Sequence, residues 1–355
     1  MKNKVKELRA KRILKKQEKQ DANVPRITND NLAEHREEVI SGARKYIYPL
    51  QHSKHRVVFL TISLTLLAVL ISSVTSVILL YKLQTTSAFM YQVTRVVPFP
   101  IARTGKTFVA YENYLFELNH YVHYYENQQQ LSFDTEAGQA QLASYKERTI
   151  NKVVNDAYVK LEADDLGISV SSKEVDEQIQ IAREQNRLGS NDQIFEDVLR
   201  EYWDWSVGDF RRRLSTELLS QKVIRAKDPD TEKRATEALA RITAGEDFAT
   251  IATEYSDDIG TKDAGGEFGL VNRSNRNVSQ QTVDTLYKLG EGEVSNVVIV
   301  TYGTGYALAI VKNLGEQGDQ RKGAHIIFPL KSLDEILNDR KERQPYKLYM
   351  NPVTK

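Results

Sequence analysis

Val57 to Leu80 reads VVFLTISLTLLAVLISSVTSVILL, an uncharged run of 24 residues. As a helix it rises 1.5 Å per residue, or about 36 Å, enough to cross a hydrocarbon core of about 30 Å with some tilt. Its serines and threonines are no obstacle, because a helix satisfies their hydroxyls on its own carbonyls. A buried helix of a soluble core is the alternative. A cleaved signal peptide fits poorly, since the run is too long and 56 residues precede it in place of a short basic leader. The expectation is a single transmembrane helix over residues 57–81.

Flanking charge sets the orientation. Residues 1–56 carry 15 Lys and Arg against 7 Asp and Glu, a net of +8, so with +1 overall the remainder carries −7. Arg44, Lys45, Lys54 and Arg56 precede the span, and only Lys82 closely follows it. The positive-inside rule therefore puts residues 1–56 in the cytoplasm as a basic tail and the body outside. The dense basic run from Lys2 to Lys19 reads as a topology signal. An anionic-lipid or nucleic-acid patch is the sharper alternative. The bilayer is the expected partner of the span, and no nucleic-acid partner is expected.

The 355 residues allow two or three folded units. The chain has no cysteine, which excludes disulfides, a thiolate nucleophile and a Cys-based zinc site. His120 and His123 at i, i+3 make a weak metal signal without a third ligand. Thr104-Gly105-Lys106-Thr107 ends like a phosphate loop, but the required first glycine is Pro100. No metal or cofactor is expected.

Residues 82–97 read as a juxtamembrane linker, punctuated by Pro98 and Pro100. A mostly helical module over 82–228 follows. Tyr111, Tyr114, Leu118, Tyr121 and Tyr125 recur at three- and four-residue steps. A second helix is expected from Gln139 to Asp165, with Gly167 as its stop, and a third after a Ser171–Glu174 capping box. Two more cover Asp192–Leu199 and Ser206–Ile224. The many aromatics either fill a small core or line a wet groove for unfolded chains. Aromatic side chains suit such a groove because they offer large apolar area at low entropy cost.

From Thr231 the texture changes. Helices are expected over Thr231–Ala244, Phe248–Tyr255 and Ser279–Lys288, and strands over Val297–Thr301 and Tyr306–Val311. The pieces AGEDFATIATEYSDD (244–258), GGEFGLV (265–271), LGEGEVSNVVIV (289–300) and GTGYALAIVKN (303–313) resemble, in that order, the parvulin family of peptidyl-prolyl isomerases. VVPFPIARTGKTFVAYENYLFEL (96–118) and DDLGISVSSKEVDEQI (164–179) resemble the N-terminal chaperone domain of the SurA/PrsA/PpiD class of foldases. The resemblance implies an α+β chain: one transmembrane helix, a SurA-N-like helical domain, and over 229–344 a parvulin-like, FKBP-like antiparallel sheet with helices. Residues 345–355, with Pro345 and Pro352, read as a poorly ordered tail.

The resemblance also implies a site. The family uses an apolar proline pocket and a ring of two His with a Cys or Asp. The Cys/Asp place falls on Asp258, and the proline pocket falls on Phe268, Val278, Thr282 and Val283, with Thr304 on the same substrate side. The late family histidine falls on Ala307, and no AHILV-type first strand precedes Thr231. Such a strand stands instead at Gly323-Ala324-His325-Ile326-Ile327-Phe328. A hairpin from the preceding strand would bring it into the vacant first-strand slot, a circular permutation that sets His325 near Asp258. The alternative is an added edge strand, or the start of a truncated second copy, with KVIRA as the first strand.

Two functions remain open at this level: a binding protein that captures unfolded secreted chains near the membrane, and an isomerase acting on X–Pro bonds. A structural envelope protein reusing the fold is a third.

Overall fold

The computed structural model describes residues 2–21, 28–47, 50–184 and 191–350. The chain divides into two units, Met1–Val77 and Ile78–Lys355. In the first, helices α1 (Lys2–Asp21) and α2 (Asn29–Ile47) precede α3 (Leu50–Val77). A helical stretch from His55 to Lys82 is long and apolar enough to cross a membrane. Phe59, Leu66 and Leu70 are exposed along it. Its hydroxyls fold back onto the helix: Thr61 Oγ1 donates to the Val57 carbonyl at 3.0 Å, Thr65 to Thr61 at 2.8 Å and Ser73 to Val69 at 2.7 Å.

The second unit opens with a π-turn (Ile78–Lys82) and α4 (Ala88–Val96). This corrects the linker expected at 82–97. Ser87 caps α4, Leu80 and Met90 are buried, and Tyr81 Oη donates to the Pro100 carbonyl at 2.5 Å. Buried apolar anchors at Leu80 and Met90, ten residues apart, hold a segment that its mixed composition had presented as a spacer. Strands β1 (Pro100–Thr104) and β2 (Thr107–Ala110) form a hairpin. Helices α5 (Tyr111–Gln128), α6 (Glu136–Leu166), α7 (Ser172–Glu184), α8 (Asp192–Trp203) and α9 (Val207–Ala226) complete the helical part. The Ser171–Glu174 box closes: Ser171 N–H donates to Glu174 Oε2 at 2.9 Å and Glu174 N–H to Ser171 Oγ at 3.3 Å. Gly167 ends α6 in the left-handed region, φ +65°.

Most of the aromatics fill cores. Tyr111, Tyr114 and Tyr158 are fully buried in one cluster with Leu115, Leu118 and Val153. Phe116 stacks on Trp205 at 5.6 Å in a second cluster with Phe195 and Leu199. His120 lies against Trp205, ring centres 4.7 Å apart. Burial holds its imidazole down to about 4, and the Arg213, Lys152 and His123 charges act in the same direction. The folded pKa lies below the ordinary 6.5, so the unfolded chain binds the extra proton. His120 therefore contributes stability that is complete above about pH 6.5 and is lost as pH falls toward about 4, on the order of 3 kcal/mol in all. Urea midpoints measured from pH 7 to pH 4 are expected to fall, and to fall less in His120→Phe. Equal acid loss in both proteins would refute the assignment.

The remainder alternates helices with one antiparallel sheet. Helices α10 (Pro229–Thr243) and α11 (Phe248–Tyr255) precede β3 (Glu267–Val271). Then come α12 (Gln280–Leu286), β4 (Val298–Tyr302), β5 (Gly305–Gln317) and β6 (Gln320–Pro329). The sheet order is β3-β6-β5-β4. Segment 323–328 is thus an inner strand, paired along its length with β5 and on its other side with β3. Alternation divides its core: Ile326 and Phe328 pack under α10 and α11, Ile327 packs with Val300 and Leu286 on the opposite face. KVIRA lies in α9 and forms no strand.

The chain then returns to the helical part through α13 (Leu333–Arg343) and β7 (Tyr346–Leu348), which pairs with β1. This corrects the expected tail. Tyr158 Oη donates to the Gln344 carbonyl at 2.6 Å, Tyr349 N–H to the Ile101 carbonyl at 2.9 Å, and Met350 is buried. An open edge of β1 gave the segment a place to pair. Residues 351–355 of that expected tail lie outside the described residues.

Candidate functional site

The site is built where α11 ends against β6. Ser256 is fully buried, and its Oγ accepts from Ile327 N–H at 3.1 Å, while Asp257 N–H donates to the Ile327 carbonyl at 2.8 Å. These bonds clamp the loop to β6 two residues from His325 and set Asp258 beside it. His325 Nε2 lies 2.9 Å from Asp258 Oδ2 and 3.1 Å from Thr261 Oγ1. Thr261 donates to the same carboxylate oxygen, and Tyr302 Oη donates to Oδ1 at 3.2 Å. With the carboxylate ionised, Nε2–H is the donor to Asp258.

Electrostatics follow from this ring. Burial alone would raise the Asp258 pKa, but hydrogen bonds from Thr261, His325 and Tyr302 outweigh it and hold the group below its ordinary value. Burial pushes the His325 imidazole down, opposed in part by the Asp258 carboxylate. Burial and then the Asp258 charge push the Tyr302 hydroxyl up, which keeps it a donor. At neutral pH the site is a neutral imidazole and a phenol on a half-buried carboxylate.

Phe268 forms the apolar side, its ring 4.9 Å from that of His325. It lies over Gly323, where a Cβ would leave no room for its ring. Phe268 and Val278 both pack against the cluster that contains Val283. Val278 is half-buried in the cluster of Val271, Val283 and Leu286. Thr282 and Val283 are each 1% exposed, so they face the core and offer no open surface. Thr282 is held as part of the α12 cap, its N–H donating to Ser279 Oγ at 3.1 Å. Both lie on the inner face of α12, turned to the sheet. Thr304 lies exposed in the β4–β5 turn, two residues beyond Tyr302, on a cleft of about 530 Å³ that also reaches α6 and α9.

Sequence reasoning missed Thr261 and Tyr302. Thr261 had a signal: an Asp-x-x-Thr spacing, whose turn closes with Thr261 N–H on the Asp258 carbonyl at 3.2 Å. Tyr302 had none, since 44 residues separate it from Asp258. Ala307 is fully buried in β5 opposite Val300 and Pro329. His123 Nε2 lies 2.9 Å from the Glu201 carbonyl, and the described residues contain no group of three or more side chains able to hold a metal.

Comparison with known proteins agrees with this architecture. A PPIC-type PPIASE domain matches residues 218–313, and a SurA-like N-terminal domain matches residues 51–224. Foldase protein PrsA 3 of Bacillus anthracis is 29% identical over 153 residues, covering 38% of this chain and 52% of that protein. Foldase protein PrsA of Clostridium botulinum is 25% identical over 179 residues, 50% of this chain and 48% of that one. PrsA of Caldanaerobacter subterraneus is 30% identical over 211 residues, 56% and 65%. The chain thus spans about half the length of the first curated relatives it matches. Among solved structures, PrsA of Bacillus anthracis aligns at 19% identity and TM-score 0.19, over 55% of this chain and 86% of that one. PrsA of Streptococcus pneumoniae aligns at 20% and 0.19, over 59% and 81%.

A mixed helical and sheet body that carries a SurA-like and a PPIC-type domain in series defines a parvulin-type peptidyl-prolyl isomerase architecture. The chain carries the two domains of that class in the same order, and it is similar to PrsA foldases over about half of its length.

Proposed function

We propose that this chain is a membrane-anchored foldase that holds unfolded exported polypeptides outside the cytoplasm. Residues 57–81 cross the bilayer, 1–56 remain cytoplasmic, 82–228 form the chaperone domain and 229–344 the parvulin-like domain. The apolar helix and the charge asymmetry around it support the anchor. The names of the curated relatives support the foldase reading.

The single observation that carries the site is the Asp258–His325 pair beside Phe268. We read β6 as the family's first strand, supplied from the far end of the domain. The PPIC-type match stops at residue 313, before β6, and β6 nevertheless sits between β5 and β3. In that reading Asp258 and His325 are the polar ring, and Phe268 with Val278 at its rim meets the proline. Thr261 and Tyr302 complete the ring in the absence of a histidine at Ala307.

Proline isomerisation needs no nucleophile. The barrier of about 18–20 kcal/mol falls when an apolar wall disfavours the charge-separated amide and a donor meets the prolyl nitrogen of the twisted state. Isomerase activity is the second reading, favoured by the intact ring and weakened by the burial of Thr282 and Val283.

Two measurements test the proposal. Protease added to intact cells should degrade the 82–355 body and spare the 1–56 tail; a protected body removes the extracytoplasmic assignment. In detergent, the full chain should suppress aggregation of reduced, carboxymethylated lactalbumin, and Asp258→Ala should leave that suppression intact. The same variant should lower a weak proline-peptide isomerisation by on the order of tenfold to a hundredfold. Failure to suppress aggregation contradicts the holding function.

A further inference from the structure

We propose that the outer edge of β4 is a strand-addition site for an extended polypeptide segment, which joins the sheet inside the cleft between β4 and helices α7 and α9. The inference deepens the client-holding function proposed above and rests on it.

Hydrogen-bond parity exposes the edge. Along β5, Tyr306 accepts from Leu330 N–H at 2.9 Å, on the β6 side, while Val311 accepts from Ser295 N–H at 2.8 Å, on the β4 side. Odd-numbered residues of β5 therefore face β4. Gly305, Ala307 and Ala309 stand opposite Tyr302, Val300 and Val298, which direct their N–H and C=O groups into the sheet. Ile299 and Thr301 direct theirs out. Thr301 N–H meets a side chain, Gln281 Oε1, at the long distance of 3.5 Å, a contact that an added strand would displace, and Ile299 has no such cover among the hydrogen bonds of the described residues.

The opposite edge is protected. The β3–β6 register shifts between Glu267 and Gly269, an irregularity that twists an edge away from new partners. The β4–β5 register is unbroken over all five residues. An unbroken edge is a template for another strand.

The cleft beside β4 fits such an occupant. It measures about 620 Å³ and is open along Val298–Thr301. Half-buried Ile181, Leu214 and Leu218 line its helical wall, where they would meet alternate side chains of an added strand. Its charges are of both signs and neutralised nearby: Lys222 pairs with Glu174, and Arg225 with Glu232 at 2.5 Å. No one-signed field selects a polyion. A row of amide and carbonyl groups repeating every two residues is complemented by a polypeptide backbone, independent of its sequence. That independence suits clients that share no sequence.

The test uses the full chain in detergent and a capped ten-residue peptide of alternating valine and threonine with terminal lysines. The peptide should slow deuterium exchange at the Ile299 amide by roughly tenfold at saturation, and Ile299→Pro should weaken its binding by roughly tenfold. Proline at 299 removes an outward N–H, leaves the β5 ladder whole and trims a half-buried side chain, so Ile299→Ala, which loses the same packing and keeps the N–H, is the control and should bind the peptide as the parent does. Val300→Pro removes an inward N–H and should unfold the sheet. A peptide N-methylated on alternate nitrogens leaves the protein untouched and should bind roughly tenfold more weakly in one of its two phases. Binding of the peptide with Ile299 exchange unchanged and both methylated phases equal to the parent overturns the strand site. Failure of the peptide to bind while lactalbumin is still held overturns it as well, and leaves the foldase reading standing. Failure of both overturns the two together.

Discussion

Replacing Arg340 with alanine is expected to lower stability by about 2–4 kcal/mol, because it leaves a buried carboxylate with only one of its two cations. Arg340 is 9% exposed and Glu162 3% exposed. The guanidinium Nε donates to Glu162 Oε1 at 2.6 Å, and Lys227 Nζ reaches Oε2 at 2.7 Å. Burial alone would raise the Glu162 pKa, but Lys227 and Arg340 hold it below its ordinary value. The second carboxylate partner of Arg340, Asp165, is largely exposed and contributes little by comparison. The pair ties α13 to α6, with Leu337 fully buried beside it. The melting temperature should fall by on the order of 10 °C. Arg340→Met combined with Glu162→Gln should recover much of the loss, since no buried charge is then left unpaired. A single variant that melts like the parent would show that solvent screens the pair.

The second large effect is expected at Gly266, whose φ is +83°. A Cβ there would fall far inside van der Waals contact of the His325 carbonyl oxygen and press on Ala252. The Gly266 carbonyl also accepts from His325 N–H at 2.8 Å, so the two backbones cannot separate without breaking that bond. Gly266→Ala should cost about 3 kcal/mol or more, the sum of a left-handed backbone and an overpacked contact. Gly292→Ala is the control, with φ +80° and nothing within 4 Å. It should cost about 1–2 kcal/mol, the backbone alone. The difference isolates the close approach that fixes His325 against Asp258. Equal costs at the two glycines would remove that explanation.

The elements that read clearly from the sequence are those whose signal is local. The apolar run at 57–80, the stripe from Tyr111 to Leu118, the Ser171–Glu174 box and the left-handed stop at Gly167 each lie within a few turns of one helix. Period and capping are properties of adjacent residues, so they need no partner to be visible. The linker at 82–97 and the tail at 345–350 were misread because their order comes from elsewhere. Met90 and Met350 are buried by residues far along the chain, and β7 exists because β1 had an unpaired edge.

The site divides in the same way. Asp258, Phe268 and His325 were named from motif and residue type, and Thr261 was within reach by its spacing. Which of the pocket residues face outward was beyond local reasoning. Thr282 and Val283 lie on the buried side of α12, and that side was chosen by the sheet beneath it. Tyr302 joined the ring only through the β4–β5 hairpin, which carries its hydroxyl to Asp258. The sequence by itself determined the long apolar helix, the other helices, the capped termini and the chemical types available at the site. Tertiary structure decided which strand lies between β3 and β5, which side chains converge on Asp258, and which edge of the sheet stays open. Those outcomes depend on long-range pairing and burial, and no window along the chain contains both partners of such a contact.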